Sequence, residues 1–283
     1  MVDEVVLEHH VRELFFQYDR GAPLEPEERV EEADGLRVLR FTISSIHGQR
    51  VPGVLITDAE RTAPRPLILM LHGAGGSKDE YYIRDVAKSW APYGFACAAI
   101  DAPHHGERAT RPFDFLSLLS QPYAGRDHAV QAVVDLRRTL DYLETRPEVD
   151  PERTGFLGFS MGTILGVPFC ALDRRVKAAC FTIGGAGVWT WAAQVAAPDV
   201  RRDATLVAQI LDPAHFAPYL APRPVLMVNG TRDELIPRRA AELLYESLRE
   251  PKRIIWYDGG HADIPRETFR EIYLFFRDHL TRR

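Results

Sequence analysis

Gly158-Phe159-Ser160-Met161-Gly162 constrains this chain more than any other stretch. The apolar residues 154–157 ahead of it read as a buried strand, and residues 163–167 behind it read as the start of a helix. A G-x-S-x-G pattern at such a junction makes a sharp, strained turn that lifts the serine hydroxyl clear of the backbone. Glycines flank it because a Cβ would collide with the neighbouring strand and helix. Ser160 is a candidate nucleophile; the alternative is a serine that only caps the helix in a glycine turn.

Strands alternate with helices from residue 67 onward. Residues 67–71 are continuously apolar, as expected of a strand covered on both faces. Residues 95–100, 176–183, 224–228 and 253–257 repeat the pattern, with helices expected over 79–93, 126–145, 237–248 and 264–280. Residues 36–44 and 51–57 alternate around His47-Gly48 and read as a hairpin. This order predicts an α/β protein, a mostly parallel sheet with helices on both faces. With 283 residues, 46% of them hydrophobic, one domain over 36–283 is expected.

Ahead of it, residues 2–20 place Leu7, Val11, Leu14, Phe15 and Tyr18 on one helical face, to pack on the domain or on a second subunit in a homodimer. The acidic, proline-containing residues 25–34 read as a solvated linker, so 1–35 form an extension. Residues 186–220 lack a strand pattern and are expected to cap the site, with Trp189, Trp191 and Phe216 lining a substrate pocket. A helical packing appendage is the alternative.

A net charge of −5, with no basic cluster among aromatics, argues against nucleic acid or an anionic membrane as partner. Cys97, Cys170 and Cys180 lie in apolar runs and read as buried thiols in a reducing compartment. The acidic N-terminus has no signal-peptide pattern and no stretch reaches the roughly 18 apolar residues of a membrane span, so a cytoplasmic protein is expected. His104 and His105 resemble metal ligands, but no Asp, His or Cys partner stands at a recognisable spacing. A structural turn at the site mouth is expected there, and no metal.

A serine hydroxyl needs a base within hydrogen-bond reach, itself oriented by a third group. Asp233 and His261 each follow the C-terminal end of a predicted strand, the edge of a parallel sheet where ligands bind and where Ser160 also sits. Their order, Ser, Asp, His, suits this type of turn. Asp101, Asp258 and Asp263 are alternative acids, and His215 and His279 alternative bases. The N–H of Met161, at the helix start, is one candidate oxyanion donor. The second should come from the glycine-rich exit of the first buried strand, Ala74 first and Gly75 next. That exit lacks the spacings of phosphate-binding loops. Such a cycle needs no cofactor.

Leu71-His72-Gly73-Ala74-Gly75-Gly76, Asp101-Ala102-Pro103-His104-His105-Gly106, the Ser160 motif and Asn229-Gly230-Thr231-Arg232-Asp233 together resemble the α/β-hydrolase superfamily, from about residue 36 to the end. Within it they are similar to single-domain esterases of the dienelactone-hydrolase and acetyl-esterase group. The resemblance implies an eight-stranded, mostly parallel sheet and hydrolysis of a carboxylic ester. Dienelactone hydrolases proper use cysteine where Ser160 stands, which argues against that activity. The His-Gly-Gly-Gly run of hormone-sensitive-lipase relatives is absent. The expected function is a carboxylesterase acting on a small-molecule, short-acyl ester. The alternatives are a peptidase or amidase like the prolyl-oligopeptidase catalytic domains, weakened by the lack of a propeller-sized N-terminal domain, and a non-catalytic binding module.

Overall fold

The computed structural model describes residues 7–61 and 63–281. Among the described residues nine strands form one sheet: β1 (Glu27–Ala33), β2 (Leu36–Ser44), β3 (Arg50–Asp58), β4 (Arg65–Leu71), β5 (Ala96–Ile100), β6 (Val149–Phe159), β7 (Val176–Thr182), β8 (Val225–Gly230) and β9 (Lys252–Tyr257). Their spatial order is β1-β2-β3-β5-β4-β6-β7-β8-β9. The β1–β2, β2–β3 and β3–β5 pairs are antiparallel, and every pair from β5 through β4 to β9 is parallel. The helices are α1 (His9–Leu14), α2 (Tyr81–Trp90), α3 (Phe115–Ser120), α4 (Pro122–Leu143), α5 (Met161–Leu172), α6 (Val188–Val195), α7 (Arg201–Leu211), α8 (Arg238–Ser247) and α9 (Arg266–Leu280).

The side-chain period of two divides β4 between two cores. Leu67, Leu69 and Leu71 face a layer that includes Val133, Leu136 and Leu140 of α4 and Leu165 and Phe169 of α5. Ile68 and Met70 face Ile83, Val86 and Trp90 of α2 and Ile272, Phe276 and Leu280 of α9. Every residue of β4 and β5 is buried, which accounts for their unbroken apolar sequence.

Two expectations for the N-terminal part are corrected. Residues 25–34 are not a linker: Glu27–Ala33 is the edge strand β1, and it brings the sheet to nine strands instead of eight. Asp34 (φ 54°) and Gly35 (φ 73°) form a two-residue turn between the paired Ala33 and Leu36, the hairpin connection that favours Asp-Gly. All seven residues of β1 are exposed, so the acidic composition reports solvation correctly and conformation wrongly. Charges along an edge also block pairing with other chains.

The second correction concerns the first helix, which spans only His9–Leu14; residues 2–6 lie outside the described residues. Leu14 and Phe15 are exposed, and Arg12 and Phe16 turn inward instead. Arg12 Nε donates to Gln209 O at 2.6 Å, and the Phe16 ring meets Phe216 edge-on at 5.8 Å. The segment is therefore fastened to α7 and the stretch that follows it.

At the centre, the start of α5 is pressed against the exit of β4. A Cβ on Gly162 would overlap Leu71 O, and one on Gly158 would lie 2.6 Å from Gly162 O. Backbone cannot yield there as a side-chain tip can. Gly162→Ala should therefore lower unfolding stability by about 2 kcal/mol or more, read as a fall in the urea midpoint at unchanged slope.

Candidate active site

Ser160 joins β6 to α5 with φ 53° and ψ −113°, a sparsely populated conformation for any residue but glycine. The surroundings hold it there. Its N–H donates to Thr182 O at 3.0 Å, and its carbonyl accepts from Thr163 N and Ile164 N at 2.8 and 3.2 Å. The buried hydroxyls of Thr163 and Thr182 both lie within 3.0 Å of Gly158 O, at the end of the strand.

Asp233 follows β8 and His261 follows β9, and β6 to β9 are successive parallel neighbours. Their C-terminal ends therefore share one edge of the sheet, and the structure brings the three side chains together there. His261 Nδ1 lies 2.8 and 3.0 Å from the Asp233 carboxylate oxygens, and Nε2 lies 2.9 Å from Ser160 Oγ. A carboxylate only accepts, so Nδ1 carries the proton and Nε2 is left basic toward the serine. Asp233 Oδ1 also accepts from Leu235 N and Ile236 N at 2.9 and 2.8 Å, which orients the acid. The Asp233 side chain is 2% exposed and that of His261 12%.

The three alternative acids, Asp258, Asp263 and Asp101, are engaged elsewhere. Asp258 pairs with Arg232, Asp263 accepts from Gly260 N, and Asp101 is buried under Lys78. His215 lies beyond α7, and His279, on α9, packs against Phe275.

Met161 is the first residue of α5, and its N–H, like those of Ala74 and Gly75, finds no acceptor among the described residues. His72, Lys78 and Asp101 shape the loop carrying Ala74, a role that their sequence context does not reveal. His72 Nδ1–H donates to Gly73 O at 2.7 Å, and its Nε2 accepts from Ala102 N at 3.1 Å, which fixes the tautomer. Lys78 donates to Asp101 through both N and Nζ, at 2.8 and 2.9 Å. Burial opposes the Lys78 charge, and hydrogen bonds to Glu107 and Asp101 outweigh it, holding the ammonium above its ordinary pKa. The loop thus has fixed walls before any ligand arrives.

A cavity of about 1100 Å³ opens on Ser160 and His261. Gly73, Ala74, Tyr82, Phe159, Ile183 and Leu235 line it near the serine, and α2 and α9 form the outer walls. The expected aromatic lining from the 186–220 insertion is not among these residues. Trp189 is buried with its ring against Gly125 of α4, Phe216 is buried against Phe16 and His9, and Trp191 is half exposed. The insertion spends its aromatics on attaching itself to α4 and to the N-terminal segment. The pocket walls come instead from α2 and α9, two amphipathic helices that the sequence marks only as helices. The one available signal was Tyr81-Tyr82, close behind the glycine-rich loop.

His104 (φ 63°) and His105 form a turn in which His105 is buried, its Nδ1–H donating to Pro103 O at 2.8 Å. His128 of α4 lies beside both, at ring centroid distances of 5.8 and 6.1 Å. No group of three or more His, Cys, Asp or Glu among the described residues could hold a metal ion. No helix among them is long and apolar enough to cross a membrane.

Burial pushes His72 down to about 4, and burial, then the neighbouring His105 and His104, push His128 down to about 3, from an ordinary 6.5. The unfolded chain takes up these protons below pH 6.5 and the folded chain does not until pH 4 or lower. Their contribution to stability is then fully present above pH 6.5 and is lost as the pH drops toward 4, by up to about 1.4 kcal/mol per pH unit for each histidine. Neither ring nitrogen of His128 has a hydrogen-bond partner among the described residues. His128→Phe should make the loss of stability between pH 7 and pH 5 smaller by about 2 kcal/mol in urea titrations.

The dienelactone hydrolase family matches the chain over residues 51–267. The protein YfhR of Salmonella typhimurium is 29% identical over 157 residues, which cover 49% of this chain and 50% of that protein, so the match spans half of the relative's length. Among solved structures, an acetyl xylan esterase from Paenibacillus sp. R4 superposes with a TM-score of 0.78 at 19% identity, over 96% of this chain and 93% of the other. A cold-adapted esterase from an Arctic intertidal metagenomic library gives 0.70 at 26% identity, over 89% and 97%. The sheet order, the likeness to these α/β-hydrolase structures and a family match over most of the chain agree: the chain belongs to the dienelactone hydrolase family.

Proposed function

We propose that this protein is a serine carboxylesterase that cleaves small, short-acyl esters through an acyl-enzyme. The observation that carries the proposal is the unbroken chain of hydrogen bonds from Asp233 through His261 to Ser160 Oγ. Ser160 Oγ attacks the ester carbonyl as His261 Nε2 takes its proton. The carbonyl π electrons pass to oxygen, and the N–H groups of Met161 and Ala74 stabilise the resulting oxyanion. Collapse of this intermediate expels the alcohol, which receives the proton from His261. Water, deprotonated by the same histidine, then attacks the acyl-enzyme and releases the acid and the free serine. Asp233 stabilises the imidazolium at each stage without itself taking the proton.

Family membership and a 26% identical structural neighbour named as an esterase support ester chemistry. The name of the acetyl xylan esterase suggests a short acyl group, although at 19% identity that likeness bears on fold alone. Ser160 stands where dienelactone hydrolases proper carry cysteine, so an ordinary ester is favoured over a dienelactone. Amide cleavage by the same three residues is the second reading, because nothing in their arrangement selects oxygen over nitrogen as leaving atom.

Nitrophenyl esters of increasing acyl length, assayed beside an aminoacyl nitroanilide, test both readings. Acetate and butyrate esters should turn over best. Ser160→Ala should lower kcat by at least about 10³-fold, and Asp233→Asn by about 10⁴-fold through loss of the tautomer. Anilide turnover as efficient as that of the esters would establish the amidase instead.

A further inference from the structure

The N–H of Gly73 is not available to an oxyanion, because it donates to Tyr82 Oη at 3.1 Å. An oxygen that accepts that bond keeps its own proton to give, and no acceptor for it exists among the described residues. Tyr82 lines the cavity that opens on Ser160. A Cβ built on Gly73 would lie 3.4 Å from Ser160 Cβ and 3.9 Å from Tyr82 Oη, so the two side chains flank the same small space. The cavity that opens on Ser160 is lined by Tyr82 together with Gly73, Ala74 and His261.

The phenol ring is also held in place. It packs against Phe159 at 4.7 Å between centroids and edge-on against Tyr81 at 5.4 Å, and it projects from the first turn of α2. Burial pushes its pKa up to about 12, so the hydroxyl stays protonated wherever the histidine can act as a base. Accepting from Gly73 polarises the O–H and strengthens it as a donor. With no protein acceptor among the described residues, the proton is free for an oxygen beside Ser160, and it bonds an oxyanion more strongly than the neutral ester carbonyl from which it forms. Differential stabilisation of this kind raises kcat rather than lowering KM.

We infer that the Tyr82 hydroxyl is a third hydrogen-bond donor to the oxyanion formed on Ser160, beside the N–H groups of Met161 and Ala74. The role rests on the serine esterase reading. The bonds made and broken at carbon are those of the acylation step; Tyr82 keeps its proton and shares it with the oxygen that receives the carbonyl electron pair. Two further roles compete with it. The hydroxyl could act only through Gly73, by fixing the loop, or only as a wall that touches the ground-state substrate.

Kinetics of wild type, Tyr82→Phe and Ser160→Ala on nitrophenyl acetate, with binding of a trifluoromethyl ketone that forms an anionic hemiketal on serine, separate these cases. Tyr82→Phe should lose about 10²-fold in kcat with KM within about twofold, and should bind the ketone about 10²-fold more weakly. Unchanged kcat, or a rise in KM alone, overturns the assignment. So does a loss of kcat with undiminished ketone affinity, which marks a positioning role through Gly73. Should Tyr82→Phe fail to fold, the wild-type ketone adduct decides: Tyr82 Oη within about 3.2 Å of the hemiketal oxygen supports the role, and a separation beyond about 3.5 Å refutes it. Wild type without ester turnover refutes the esterase reading itself, whereas full wild-type turnover matched by Tyr82→Phe refutes only the role of Tyr82.

Discussion

The contact between the first turn of α5 and the exit of β4 is the constraint on which the site depends. Gly158 and Gly162 permit it, because a side chain at either would run into backbone and not into a movable neighbour. With that approach made, Ser160 is forced to φ 53°, its hydroxyl leaves the sheet edge, and Met161 presents its N–H beside the loop from β4. Strain at one residue is tolerated because Thr182 O takes its N–H and two buried threonine hydroxyls brace the strand end. The candidate nucleophile is thus a product of backbone packing before it is a matter of side-chain chemistry.

The remaining groups reach that point from the same edge by parallel pairing. β8 and β9 end in register beside β7, and the loops that leave them carry Asp233 and His261. Each loop is tied to its neighbour: Thr231 N donates to Tyr257 O, Arg232 N to Gly259 O, and Tyr257 Oη to Gly260 O. The imidazole is therefore positioned by backbone as well as by its carboxylate. On the opposite side, His72 and the Lys78–Asp101 pair hold the glycine-rich loop to the exit of β5. Buried polar contacts of this sort specify one loop conformation, since any other would strand a charge or an N–H in the interior.

Much of this was legible in the sequence, and for identifiable reasons. Continuous apolar runs located the buried strands because both faces of β4 and β5 are covered. The order of the strand ends placed Ser160, Asp233 and His261 at one edge. Three features escaped. β1 was hidden because an edge strand wet on both faces has no apolar period, and only Asp34-Gly35 betrayed the hairpin. The pocket walls were hidden because α2 and α9 bury one stripe in the core and turn a second set of residues to the cavity, which hydrophobic periodicity cannot separate. Trp189 and Phe216 were misplaced because a large aromatic signals burial without saying against what.

The central claim is that Ser160 alone, among the serines of the chain, has an activated hydroxyl, and that His261 activates it. Stoichiometric labelling with diethyl nitrophenyl phosphate, followed by peptide mass spectrometry, tests this most directly. The account predicts one nitrophenol released per chain, with the diethylphosphoryl group on Ser160. Labelling at another residue, or none in a folded protein, would contradict it.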